Sequence, residues 1–154
     1  MTLAAYAVVF GVLGLLGYVR FSPVDTAVWH VDPLGIAVPG AAWTALPTDC
    51  AITPYARGAR AVCMQPGTPA EALARLDAVA MASPRTYRFS GSVAQGLITW
   101  ETRSLVFGFP DYTTASVQLV DGKARLAILA RLRFGESDFG VNARRLAQWL
   151  ARLK

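Results

Sequence analysis

Thr2 to Val19 reads TLAAYAVVFGVLGLLGYV, carries no charged residue, and is closed by Arg20. Eighteen helical residues rise about 27 Å, close to the roughly 30 Å of hydrocarbon in a bilayer. No Lys or Arg precedes the run, and Val19-Arg20-Phe21 offers no small-residue cleavage site. The run therefore reads as an uncleaved single-pass anchor (residues 1–20) rather than a signal peptide. That constrains the rest of the chain to one small domain tied to a membrane. A mean hydropathy of +0.37 and a charged fraction of 16%, against about 25% in ordinary soluble domains, agree with it. Ala4, Ala7, Gly11 and Gly14 fall on one stripe of this helix. Such a stripe lets a second membrane helix approach closely, although small residues are common in membrane helices anyway.

Residues 21–47 read as a tether. Pro23, Pro33, Pro39 and Pro47, with Gly35 and Gly40, deny the stretch a long helix or a central strand. Trp29 and Trp43 suit either the headgroup level or the flank of the domain. His30 is the only histidine; no second histidine or carboxylate cluster joins it, so it reads as a packing or surface residue. Cys50 and Cys63 are the only cysteines and lack the spacing of a zinc site. They are compatible with one disulfide, which would favour an oxidising compartment, or with two buried thiols.

The domain proper is expected over residues 48–154 and becomes legible at Thr68. Thr68-Pro69-Ala70-Glu71 is a capping box with proline at the first helical position. Leu73, Leu76 and Ala80 give that helix an apolar stripe, and Pro84 ends it. Strands are expected at 86–92, 97–104, 113–120 and 123–134, with Asp121-Gly122 as a two-residue hairpin turn. Leu146, Trp149, Leu150 and Leu153 define the buried face of a last helix. The expected fold is α+β: a membrane helix, then a four-stranded, mostly antiparallel sheet with two helices on one face.

Polar groups concentrate in RLRFGESDFGVNARR, Arg131 to Arg145. From Met1 to Val120 basic and acidic residues balance at seven each, whereas residues 121–154 hold eight basic and three acidic. Asn142 suits an N-cap. Arg144 and Arg145 then fall at the end of the helix dipole that repels cations. Asp138, Glu136 and Asp111 are the nearby carboxylates that would compensate them. Asp111, Arg133, Ser137, Asp138, Asn142, Arg144 and Arg145 are therefore the candidate site residues. One reading makes them a network pinning the last helix to the sheet; the other makes the arginines an anion site. The scaffold reading ranks first.

FPD at Phe109 to Asp111, with RFGESDFGVNARR at Arg133 to Arg145, resembles the family known as domain of unknown function 1499. The resemblance spans roughly Thr68 to Leu153. The family pattern carries an Arg-Ser pair and a further serine where Leu129, Ala130 and Leu132 stand here, and its cysteine-containing signature is not matched around Cys50. Many members look membrane-anchored or exported. The resemblance implies no established reaction, so it supplies no catalytic residues.

Other motifs fail on context. The DFG at Asp138 to Gly140 lacks every other kinase element. The pI of 9.7 suits nucleic acid, but the anchor and the absence of a binding module argue against it. No metal or cofactor is expected, and no nucleophile–base set is visible. The leading expectation is a non-catalytic accessory or assembly subunit of a larger membrane protein complex. The alternative is a binding module for an anionic ligand, such as a lipid headgroup, at Arg133, Arg144 and Arg145. The location expected is the bacterial inner membrane, with the domain periplasmic, although Arg20 opposes that orientation under the positive-inside rule.

Overall fold

The computed structural model describes residues 2–153. Helix α1 (Leu3–Phe21) is long and apolar enough to cross a membrane, and Val19 is its one buried residue. Its far end docks on the domain, where the Tyr18 ring meets Phe134 edge-on at 6.0 Å.

The domain is built on a fully antiparallel sheet of six strands, ordered β1-β2-β6-β5-β4-β3. In chain order the strands are β1 (Thr53–Tyr55), β2 (Gly58–Gln65), β3 (Thr86–Ser92), β4 (Leu97–Arg103), β5 (Pro110–Val120) and β6 (Lys123–Leu132). The expectation of four strands is thus corrected to six. The missing pair, β1 and β2, follows Cys50 and includes Cys63 in β2, and lacks the apolar–polar alternation that identifies a strand with one wet face. All of Gly58 to Cys63 is buried, because each face of β2 is covered. Ala59, Ala61 and Cys63 face a helical layer, while Val62 faces a second cover. An antiparallel strand enclosed on both sides loses its period-2 signal.

Helices α3 (Pro69–Met81) and α4 (Val141–Ala151) both pack on one face, α3 over β5 and β6 and α4 over β2 and β6. Thr68 and Glu71 form the capping box reciprocally, each side chain meeting the other's backbone N–H. Leu73, Leu76, Leu146, Leu150 and the perpendicular pair Trp100–Trp149 (5.7 Å) make the core beneath them. Asp121 and Gly122 both take positive φ, 49° and 73°, as a primed two-residue turn requires between β5 and β6.

Residues 21–47, expected as a tether, pack as a third layer on the opposite face. They include a single turn, α2 (Thr26–Trp29), and two short 3-10 turns. Trp43 and Leu46 bury against Val62, Ala127 and Leu129, and Trp29 lies on Tyr112 at 4.5 Å. The prolines prevent regular structure but not packing, so the backbone of this layer takes its partners from side chains of the sheet. Arg131 donates to the carbonyls of Val28 and Trp29 (3.2 and 2.8 Å) and stacks on the Trp29 ring. Arg60, 1% exposed, donates to the Ala41 carbonyl at 2.6 Å and lies over Trp43. His30 Nδ1 meets Thr99 Oγ1 at 2.9 Å, Thr99 meets Thr114, and Ser116 donates to Asp32 at 2.7 Å. His30 is a packing residue whose burial lowers its pKa. It approaches β3 where Gly91 (φ 86°) sits; a Cβ there would lie 2.6 Å from the imidazole and 2.1 Å from the Leu97 carbonyl.

Candidate functional site

One end of the sheet gathers the exit of α1, the β4–β5 loop (104–109) and the β6–α4 loop (133–140). Phe134 touches both Tyr18 and Phe109, the latter at 6.1 Å. Arg133 donates to Ser22 Oγ and the Pro23 carbonyl, both at 2.8 Å, and stacks on Phe134. The arginine expected in the polar network instead ties the residues just after α1 to the end of β6.

The loop into α4 is a set of local backbone bonds. The Asp138 carboxylate accepts from the N–H groups of Gly140 (2.9 Å) and Asn142 (3.0 Å), while its own N–H donates to the Ala56 carbonyl. Gly140 is the N-cap residue and brings no side chain, so Asp138, two residues earlier, supplies the carboxylate that caps α4. The assignments of Asn142 as cap and of Asp138 as an arginine's partner are both corrected. The physical reason is the left-handed turn through Phe139 (φ 49°) and Gly140 (φ 74°), which swings the helix start back over Asp138. Ser137 Oγ accepts from the Phe139 N–H at 3.3 Å. Glu136 pairs loosely with Arg57 at 3.7 Å, in solvent.

Asn142 is fully buried inside the first turn of α4, and its Oδ1 accepts from Arg145 Nη1. Arg145 Nη2 reaches Asp111 Oδ2 at 3.0 Å, with the two side chains 12% and 9% exposed. This pair offsets the unfavourable place of Arg145 at a helix N-terminus. Burial pushes the Asp111 pKa up; the Arg145 charge opposes that shift without cancelling it. Of the seven candidates the structure joins Asp111, Asn142 and Arg145 directly, with Asp138 attached through the Asn142 backbone. Arg144 lies outside this set, folding back to the Phe139 carbonyl at 3.1 Å.

Arg144 instead lines an open cleft of about 430 Å³ between α4, the start of β3 and the end of β4, with Arg85, Arg103 and Arg145. A second cleft of about 560 Å³ adjoins it and shares Arg85, Arg103, Ser104 and Leu105. Its further wall is Leu16 and Arg20 of α1 together with Val106 and Phe107. Arg103 is paired to the buried Glu101 at 2.6 Å, and Glu101 also accepts from the Tyr112 hydroxyl. Desolvation, reinforced by Glu101, raises the Tyr112 pKa and keeps that phenol protonated. Among the described residues no carboxylate pairs with Arg20, Arg85 or Arg144.

Sequence reasoning missed Arg85 and Arg103, although a signal existed. The register of β3 and β4 sets Thr86 opposite Thr102, so the residue just before β3 and the last residue of β4 are neighbours, and both are arginine. Cys50 and Cys63 are joined in a disulfide that ties the start of the domain to β2. The stripe of Ala4, Ala7, Gly11 and Gly14 stays open; a Cβ on Gly11 or Gly14 would touch nothing within 4 Å.

The family model described as Protein of unknown function (DUF1499) matches residues 44–153, and the chain belongs to that family. No curated protein matches it.

Proposed function

We propose that this chain is a single-pass, membrane-anchored, non-catalytic module that binds an anionic ligand in the arginine-lined cleft beside its anchor. One observation carries the reading: Arg85 and Arg144 line a common cleft without a carboxylate partner among the described residues. Arg145 has its charge answered by Asp111, whereas Arg85 and Arg144 donate only to the backbone carbonyls of Arg103 and Phe139 and keep an unanswered charge among the described residues. The cleft lining offers guanidinium and hydroxyl groups and no imidazole or carboxylate, which suits holding an anion rather than moving a proton. The Cys50–Cys63 disulfide supports placing the domain on the periplasmic side of a bacterial inner membrane.

The open small-residue stripe of α1 favours a second reading, an accessory subunit that packs its anchor against a helix of a larger membrane protein complex. Purification of the full chain in mild detergent, with mass spectrometry of what accompanies it, separates the two. A co-purifying anionic lipid or phosphate compound supports the first, and a stoichiometric membrane protein the second. A chain carrying neither overturns both. Thiol labelling of intact and permeabilised cells tests the orientation: free thiols labelled only after permeabilisation, without reductant, would place the domain inside.

A further inference from the structure

We infer that the two adjoining clefts form one site for an anionic phospholipid from the leaflet that the anchor leaves. Its phosphate would lie between Arg85 and Arg144, with Arg20 beyond them, and its acyl chain against α1. This rests on the anionic-ligand reading above and names the source of the anion.

Three features point to a lipid rather than a free anion. The clefts are continuous, and the basic one opens into one whose wall is the anchor itself, at Leu16 and Arg20. A solute site needs no such wall. Polarity also changes in the direction a phospholipid does. Arg144 lines only the domain-side cleft, Arg85, Arg103 and Leu105 line both, and Val106 and Phe107 line only the one walled by α1; Leu105, Val106 and Phe107 are exposed by 76%, 78% and 54%. Three consecutive apolar side chains left out of the core, at the exit of a membrane helix, are poorly placed in water and well placed at the headgroup–acyl boundary. Lastly, Phe139 on the neighbouring loop is 84% exposed while held at a φ of 49°, an unfavourable conformation for a bulky residue. The turn that caps α4 thus leaves an aromatic side chain exposed on a residue whose carbonyl accepts from Arg144.

The charge balance agrees. Five arginines line the two clefts, and the carboxylates beneath, Glu101 and Asp111, each answer one of them. Arg20, Arg85 and Arg144 remain to meet a phosphate. The geometry selects for net headgroup charge, so phosphatidylglycerol should be preferred to zwitterionic phosphatidylcholine.

The full chain, delipidated in detergent and reconstituted in nanodiscs of equal phosphatidylglycerol and phosphatidylcholine, is released and read by native mass spectrometry for retained lipid. The expected result is preferential retention of phosphatidylglycerol. Arg85→Ala and Arg144→Ala should each weaken retention about fivefold, whereas Arg152→Ala, an exposed arginine outside both clefts, should not. Val106→Asp should weaken retention of both lipids. In a parallel arm, inorganic phosphate is titrated against the melting temperature of the wild type and Arg85→Ala. Equal retention of the two lipids, with a phosphate shift that Arg85→Ala abolishes, overturns the lipid source and leaves the anionic-ligand reading standing. Equal retention and no phosphate shift overturn both.

Discussion

Arg145 and Asp111 meet 3.0 Å apart at the end of the sheet nearest α1, one from the first turn of α4 and the other from the start of β5. Thirty-four residues separate them in sequence, and the contact fixes how α4 is seated on the strands. Asp111→Ala should leave a nearly buried guanidinium without its counter-charge and cost about 3 kcal/mol, near the lower bound for a broken buried pair. Arg145→Ala should cost about as much, and the double variant little more than either. Urea unfolding of the four proteins measures the coupling; costs that simply add would show that the contact contributes nothing of its own.

The same carboxylate sets a pH dependence. Its folded-state pKa is raised, because burial outweighs the Arg145 charge. The folded state then binds the proton more readily than the unfolded chain, so this contribution to stability is present below the ordinary aspartate range and lost as pH rises through the raised value. Melting temperature against pH should show that fall in wild type and lose it in Asp111→Asn. A profile unchanged by the substitution would assign it to another group.

Asp138 and Asn142 exchange the roles their sequence positions suggest. Asp138→Ala removes the cap of α4 and should cost about 1–2 kcal/mol. Asp138→Asn, which keeps one of the two acceptor oxygens, should recover only part of it. Asn142→Ala removes a buried acceptor of Arg145 and should cost about 1 kcal/mol, a loss that shrinks in the Arg145→Ala background. Calorimetry of the single and paired variants checks the assignment.

The layer over the second face predicts where the domain can be cut. A chain beginning at residue 48 would uncover Val62 and Leu129 and remove the Trp29 and His30 groups that Arg131, Thr99 and Thr114 meet. It should aggregate or melt without a cooperative transition, whereas residues 22–154 should melt cooperatively. Gly91→Ala, forced against the Leu97 carbonyl and His30, should destabilise the longer form by more than about 1 kcal/mol. Equal melting of the two lengths would reduce residues 22–47 to a tether.

Removing the crosslink tests a separate contribution. Cys50 and Cys63 lie 13 residues apart, a loop length for which restriction of the unfolded chain contributes about 3 kcal/mol. Cys50→Ala with Cys63→Ala should lower stability by roughly that amount, as should reductant acting on the wild type. A stability indifferent to both would mean the bond is absent from the native protein.

What the sequence determined by itself was local. The uncharged run became α1, Thr68 and Glu71 made their capping box, and Asp121-Gly122 made its turn. Each depends only on residues within a turn or two of one another, so the chain states it openly. β2 was hidden because the alternation rule needs one face in water, and both of its faces are covered. The layer of residues 22–47 was hidden because its backbone takes donors from Arg60, Arg131 and Arg133, residues far away in sequence. Those same bonds decided the candidate site. Composition counted the basic residues of the C-terminal stretch, but only the fold determined which were occupied in holding the chain together. The cleft arginines left without a carboxylate among the described residues, Arg20, Arg85 and Arg144, come from three separated segments, and only tertiary structure brings them to one end of the sheet.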